Sequence, residues 1–327
     1  MYPEFLQYLR CPESGEELQL EATQREGERI VAGTLFSSRA RYPIIRGVPH
    51  FVGAETANYA ASFGYQWARW PRVQFESENA GRPMAGHTAS MFQRIVAQPA
   101  DRLREGVVLD VGCGAGRFID VLRSQGNARV IGVDYSAAAN VAAENFRSDR
   151  NVLIVRADAL RLPIRPGSLD GAYSIGVLHH TPDPRRGFQQ LVAAVREGGW
   201  VAVCVYGKGG FYDDPRVLVY RRLFKLLWPL FGNLAPLAYS QLVARAIYPL
   251  TKVPVLGPLM RLLFPMARLP DVRWRVLDTF DAVTPSYQST HESYEIFQWF
   301  RQEALAEIEP SDWGFTSYHA RVARHAR

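Results

Sequence analysis

The sequence predicts an α/β protein built around a parallel, doubly wound sheet. Three observations carry this. Between residues 106 and 206, apolar strand-like runs alternate with amphipathic helical runs; the first run ends in a glycine-rich turn; and each of the first three strands ends in or leads into a carboxylate.

Taken in order, residues 1–53 hold short strand-like runs broken by turn residues, as in Tyr42-Pro43-Ile44-Ile45-Arg46-Gly47-Val48-Pro49, and predict a small β-rich domain. Residues 54–105 read as a polar helical linker or cap, with Trp67, Trp70 and Phe75 spaced for packing. The core follows at 106–206. Its strands are expected over Val107 to Val111, Ala128 to Asp134, Val152 to Asp158, Leu169 to Val177 and Gly199 to Tyr206. Helices are expected over Arg117 to Ser124 and Ala137 to Phe146. Residues 207–290 form a proline-punctuated helical insertion after strand five, and 291–327 return a final helix and two strands. In open α/β sheets ligands bind beyond the carboxyl ends of the strands, so Asp110, Asp134 and Asp158 stand where a ligand would be.

Composition narrows the class. Of 327 residues, 47% are hydrophobic and 21% charged, which excludes a largely disordered chain. Three cysteines, Cys11, Cys113 and Cys204, are too sparse for a disulfide framework and fit a reducing compartment. The N-terminus lacks a basic-then-apolar secretory pattern, and a cytoplasmic protein is expected. The net charge of +6 is uneven: from Arg216 to Arg275 there are ten Lys or Arg and one acid, Asp271. Such a stretch reads either as a helix pair with solvated arginines or as a surface for anionic partners.

The turn Asp110-Val111-Gly112-Cys113-Gly114-Ala115-Gly116 carries the chemistry. Glycines let the backbone approach a ligand, and the following helix offers free amides to an anionic group. Dinucleotide enzymes use G-x-G-x-x-G, but Arg117 occupies the third glycine's place, which disfavours a nicotinamide oxidoreductase. Asp134, eighteen residues beyond Gly116, suits two ribose hydroxyls; Asp158 and the neighbouring Ala159 suit an adenine edge.

The stretch from Val107 to Tyr206 resembles the class I S-adenosylmethionine (SAM)-dependent methyltransferases, in particular the type 11 group. Val108 to Phe118 is similar to that family's first motif, and Val133-Asp134-Tyr135-Ser136 to its second. Asp158 to Pro163 corresponds to the third, Leu169-Asp170 through His179-His180 to the fourth, and Arg196-Glu197-Gly198-Gly199 to the turn before strand five. The resemblance implies a Rossmann-like seven-stranded sheet with a reversed final strand, for which Phe315 to Val322 is suited. It also implies SAM as cofactor, held by Asp110, Gly112, Cys113, Gly114, Gly116, Asp134, Tyr135, Asp158 and Ala159. Ala61 to Trp67 resembles a segment preceding this core in some members, which adds Tyr65, with Gln66 as its alternative, over the methionine end.

Residues 9–49 resemble the zinc-ribbon proteins that activate methyltransferases. Ser14 stands where the second thiolate of a C-x-x-C pair belongs, and Ser37 and Ser38 replace any later pair, so no metal is expected. The candidate bases are His179 and His180, followed by His291, Tyr206 and Tyr287; methyl transfer by positioning alone is the alternative. Leu226 to Ala244 lacks charge for nineteen residues, but Pro229, Gly232, Asn233 and Pro236 interrupt it, which argues for a substrate lid over a membrane span. The apolar cap points to a small-molecule, lipid-like or glycan-linked acceptor and makes nucleic acid an unlikely partner. Residues 216–275 are also read for contact with a membrane surface. The alternatives are an RNA methyltransferase or a non-catalytic methyltransferase-fold scaffold. Nothing in the sequence assigns an oligomeric state.

Overall fold

The computed structural model describes residues 1–53, 59–313 and 316–323. Gln19–Glu26 (β1), Arg29–Phe36 (β2), Arg41–Ile45 (β3) and Val48–Pro49 (β4) form a four-stranded antiparallel sheet in that order. Three helices follow: Ala61–Arg69 (α1), His87–Val96 (α2) and Ala100–Arg104 (α3). The core alternates Val107–Val111 (β5), Arg117–Gln125 (α4), Arg129–Asp134 (β6), Ala138–Asn145 (α5), Val152–Arg156 (β7), Leu169–Ile175 (β8), Pro184–Ala194 (α6) and Val195–Val205 (β9). The insertion holds Pro215–Phe231 (α7), Leu234–Leu242 (α8), Tyr248–Leu250 (α9), Leu256–Leu263 (α10) and Val272–Val283 (α11). Ser293–Gln302 (α12), Ala306–Pro310 (β10) and Thr316–Arg321 (β11) close the chain.

The large sheet has seven strands, the number the resemblance implies, in the order β10-β11-β9-β8-β5-β6-β7. Its five core strands pair in parallel, and β11 runs antiparallel to β9. Phe315, the first residue expected in the reversed strand, lies outside the described residues. Buried on both faces, β5 is apolar except for Asp110. Strand order reverses between β5 and its neighbours β6 and β8, and this opens the crevice at their carboxyl ends.

Aspartate caps set three of the helix starts. Asp183, Asp214 and Asp271 accept from the backbone amides of Arg186, Arg216 and Arg273, and a proline follows the first two. The charge-free run from Leu226 is broken where α7 ends at Gly232, whose φ is +51°. Among the described residues no helix is long and apolar enough to cross a membrane.

Residues 1–53 share a continuous apolar core with one face of the large sheet: Phe5, Leu9, Ile30 and Leu35 join Leu109, Leu153, Ile164 and Leu169. The junction is also hydrogen-bonded. Phe51 N donates to Arg156 O at 2.8 Å, Arg10 N to Pro163 O at 3.0 Å, and Arg165 N to Tyr8 O at 2.7 Å.

Cys11 Sγ lies 3.3 Å from the Tyr42 hydroxyl. Burial pushes this thiol up, but hydrogen bonds from Ser14, Ser37 and Tyr42 outweigh it and bring the group down to about 7. One thiolate among hydroxyls does not fit a tetrahedral structural zinc. Elemental analysis of the purified chain is expected to find no stoichiometric zinc; one tightly held ion per chain would overturn this.

Candidate functional site

The turn from Val111 to Gly116 is tied down on β6. Gly112 N and Cys113 N both donate to Val133 O, at 2.7 and 3.0 Å, and Gly114 N donates to Asp134 Oδ2 at 2.9 Å. Gly112 sits at φ +81°, and a Cβ there would fall 2.2 Å from Val177 Cγ1. A Cβ on Gly114 would meet the Trp67 indole at 2.9 Å. Only glycine admits this close packing.

A cavity of about 300 Å³ opens above the turn. The turn contributes Gly112, Cys113, Gly114 and Ala115 to its wall, and α4 Arg117; the end of β6 contributes Asp134 and the next residue Tyr135; Ala157, Ala159 and the Ile175-Gly176-Val177 corner follow. Helix α1 covers it with Phe63, Gln66 and Trp67, and α11 with Trp274, Leu277, Asp278 and Asp281. His180, Tyr206 and Tyr212 complete the polar wall.

Asp134 is buried, and its carboxylate is already engaged: Oδ1 accepts from Ser136 N at 2.8 Å and Ser136 Oγ at 2.7 Å, while Oδ2 holds Gly114 N. A carboxylate offers about four lone-pair sites, which leaves about one for a ligand rather than the two ribose bonds expected. Ser136 Oγ in turn accepts from Ala138 N at 3.1 Å and so opens α5 in Asp134's stead. Asp110 does not reach the cavity wall. It is buried beneath the turn, bonded to the Tyr173 hydroxyl at 3.0 Å, and burial pushes it up to about 7. Gly116 likewise packs inward, toward Phe146. Asp158 lies behind Tyr59, whose hydroxyl donates to its Oδ1 at 3.1 Å and whose ring stacks on Tyr135 at 4.6 Å.

Tyr65 turns away to pack on Phe280; Gln66 faces the cavity, its Oε1 buried with no protein donor. On a helix, adjacent positions face different directions, and this heptapeptide presents Phe63, Gln66 and Trp67 on one side. Among the candidate bases, the structure brings His180 and Tyr206 to the cavity. His179 is fully buried between His180 and Tyr206, with both ring nitrogens lacking a partner, and burial holds it well below its usual value. His291 is bound to Glu295 at 2.9 Å and to Ser289 at 2.8 Å, outside the cavity wall, and Tyr287 is exposed.

Asp278, Asp281, Tyr212 and Arg117 were not among the expected site residues. Trp274, Leu277, Asp278 and Asp281 recur at i, i+3, i+4 and i+7, a one-face pattern legible in the sequence once the segment is known to be a helix. Asp281 Oδ2 accepts from the Tyr206 hydroxyl at 3.2 Å, and Tyr206 stacks on Tyr212 at 3.7 Å. Burial, reinforced by Asp281 and opposed by Arg117, pushes Asp278 up to about 7. The Arg117 guanidinium lies 4.3 Å over the Phe118 ring.

Residues 109–203 match the family model described as a methyltransferase domain. An uncharacterized chloroplastic methyltransferase of Arabidopsis thaliana is 32% identical over 102 residues, 29% of each chain. A tRNA U34 carboxymethyltransferase of Psychromonas ingrahamii is 33% identical over 121 residues, 36% of each. The chain thus spans about a third of the length of these curated relatives. A solved complex that includes the Haloferax volcanii Trm112 methyltransferase activator aligns with 81% of this chain and 99% of its own at 13% identity, TM-score 0.44. Over residues 109–203 the chain is thus similar to a methyltransferase domain. The tRNA enzymes among the relatives overturn the expectation of a small-molecule or lipid-like acceptor with nucleic acid unlikely. The physical reason is that an apolar cap does not by itself set the acceptor class: the same insertion carries eight Lys or Arg and no acid from Arg216 to Pro270, which an anionic partner can meet.

Proposed function

We propose that the chain is a SAM-dependent methyltransferase working in the cavity between the glycine turn, α1 and α11, with Asp278 taking the proton of the acceptor. The supporting observation is one cavity wall that combines side-chain-free backbone at Gly112 and Gly114 with the Asp278–Asp281–Tyr206 cluster. SAM, when bound, supplies a methyl group already activated for transfer. Gly112, Cys113, Gly114, Asp134 and Tyr135 are the residues proposed to hold it, with Gln66 and Trp67 above them and Ala159 at the adenine edge. The buried, uncapped Oε1 of Gln66 suits an ammonium donor there. Asp278, partly protonated near neutrality, is suited to receive a proton from an O–H or N–H group as a carbon–oxygen or carbon–nitrogen bond forms.

The insertion carrying α11 is proposed as the acceptor-binding lid, and residues 1–53 as a zinc-free counterpart of the zinc-ribbon activators, joined in one chain to the domain they brace. Transfer RNA is the first acceptor class to test, because relatives sharing the cofactor core are named for it. Isothermal titration with SAM should give one saturable site. Tritiated SAM incubated with bulk tRNA should then pass label to the RNA. No saturable heat would end the reading; binding without RNA labelling would end only its acceptor part.

A further inference from the structure

Helix α7 is amphipathic twice over. Its inner face, with Val217 and Phe224 buried and Tyr220 and Leu227 beside them, packs on Ala282 and Val283 of α11. Its outer face carries Val219, Leu223, Leu226 and Leu230 at i, i+4, i+7 and i+11, and Leu226 and Leu230 are 76% and 77% exposed. The α10 segment repeats this: Val255, Leu259 and Leu262, again at i, i+4 and i+7, are all exposed, Val255 at 85%. Single exposed leucines are ordinary; two stripes on helices of one insertion, tied together where the Tyr220 hydroxyl donates to Leu263 O at 3.1 Å, mark a surface that meets something apolar.

Charge identifies the partner. From Arg216 to Pro270 the chain has eight Lys or Arg and no Asp or Glu. Arg222, Lys225, Arg245, Lys252 and Arg268 are exposed. The segment's ion pairs lie at its margins, Arg216 with Asp214 and Arg273 with Asp271. A second copy of the chain would set two basic faces against each other. RNA would answer the charges but leave the leucine stripes in water. Phospholipid with anionic headgroups answers both at once: aliphatic side chains enter the acyl boundary while Arg and Lys stay at headgroup level.

We infer that the insertion is a monotopic membrane-binding surface, in which the outer stripes of α7 and α10 seat the enzyme on an anionic bilayer. This surface is separate from the cofactor cavity and does not depend on which acceptor is methylated.

The test is flotation of the full chain with vesicles of pure phosphatidylcholine and with vesicles carrying about one-third phosphatidylglycerol. The expected result is binding to the anionic vesicles, about tenfold or more stronger than to the neutral ones and weakened by salt. Leu226→Asp/Leu230→Asp should abolish it while leaving the circular dichroism spectrum and SAM titration unchanged. If that variant misfolds, Leu259→Asp/Leu262→Asp serves the same purpose on the other helix. The inference is overturned if the native chain stays off anionic vesicles, or if a folded aspartate variant still floats. A chain that shifts bulk tRNA on a gel but ignores vesicles would assign the basic face to RNA. A dimer in sedimentation equilibrium that Leu226→Asp dissolves, again without vesicle binding, would assign it to a second copy.

Discussion

Replacing Asp278 with asparagine is expected to lower turnover by about two to four orders of magnitude, the range that a positioned proton acceptor contributes. SAM affinity should stay within about threefold, because Asp278 stands on α11 and the proposed cofactor residues on α1 and at or just beyond the carboxyl ends of β5, β6 and β7. The pH dependence has a definite sign. Burial raises Asp278 to about 7, and only the ionised form accepts a proton. In the native chain, kcat/KM should therefore fall as pH drops below about 7, with a slope approaching one log unit per pH unit. The Asp278→Asn profile should be flat through that region. Initial rates of tritiated methyl transfer across the pH range check both statements; an unchanged profile in the variant would remove Asp278 from the chemistry.

Asp134→Ala should weaken SAM binding by about one to two orders of magnitude, since hydrogen bonds to a charged acceptor are worth about 1.5–3 kcal/mol each. Two losses combine. The ligand loses an acceptor, and Gly114 N loses the carboxylate that fixes the turn. A titration calorimeter reads the first, and a lowered melting temperature reads the second. An unchanged dissociation constant in a folded variant would show that Asp134 serves the turn alone.

The sheet was legible because its strands are continuous apolar runs, and because the glycine turn and strand-end acids fall at spacings that geometry requires. Which side chains face the cavity was less so. Asp110 belongs to the motif, but strand alternation points it away from the ligand, onto Tyr173. Tyr65 and Gln66 are neighbours, and a register fixed by tertiary packing decides between them. His179 and His180 form one dipeptide, yet a single turn of tight helix buries the first and offers the second. The acids of α11 lie about 170 residues beyond Asp110. No local pattern connects segments so distant; only the return of the insertion over the sheet does.

The docking of residues 1–53 bears on how the chain can be cut and made. Strand β7 lies at one margin of the large sheet, and His50 and Phe51 pair with Arg156 along its outer side. A fragment starting at residue 59 would leave that backbone row unpaired, a template for strand addition between molecules. It would also uncover Leu153 and Ile164. Such a fragment should precipitate even though its glycine turn is complete. During synthesis the order is reversed: His50 leaves the ribosome about 100 residues before Arg156, a wait of about 5–20 s. The protective segment is thus present before the strand it protects, and an aggregation-prone intermediate with a bare β7 margin need never accumulate.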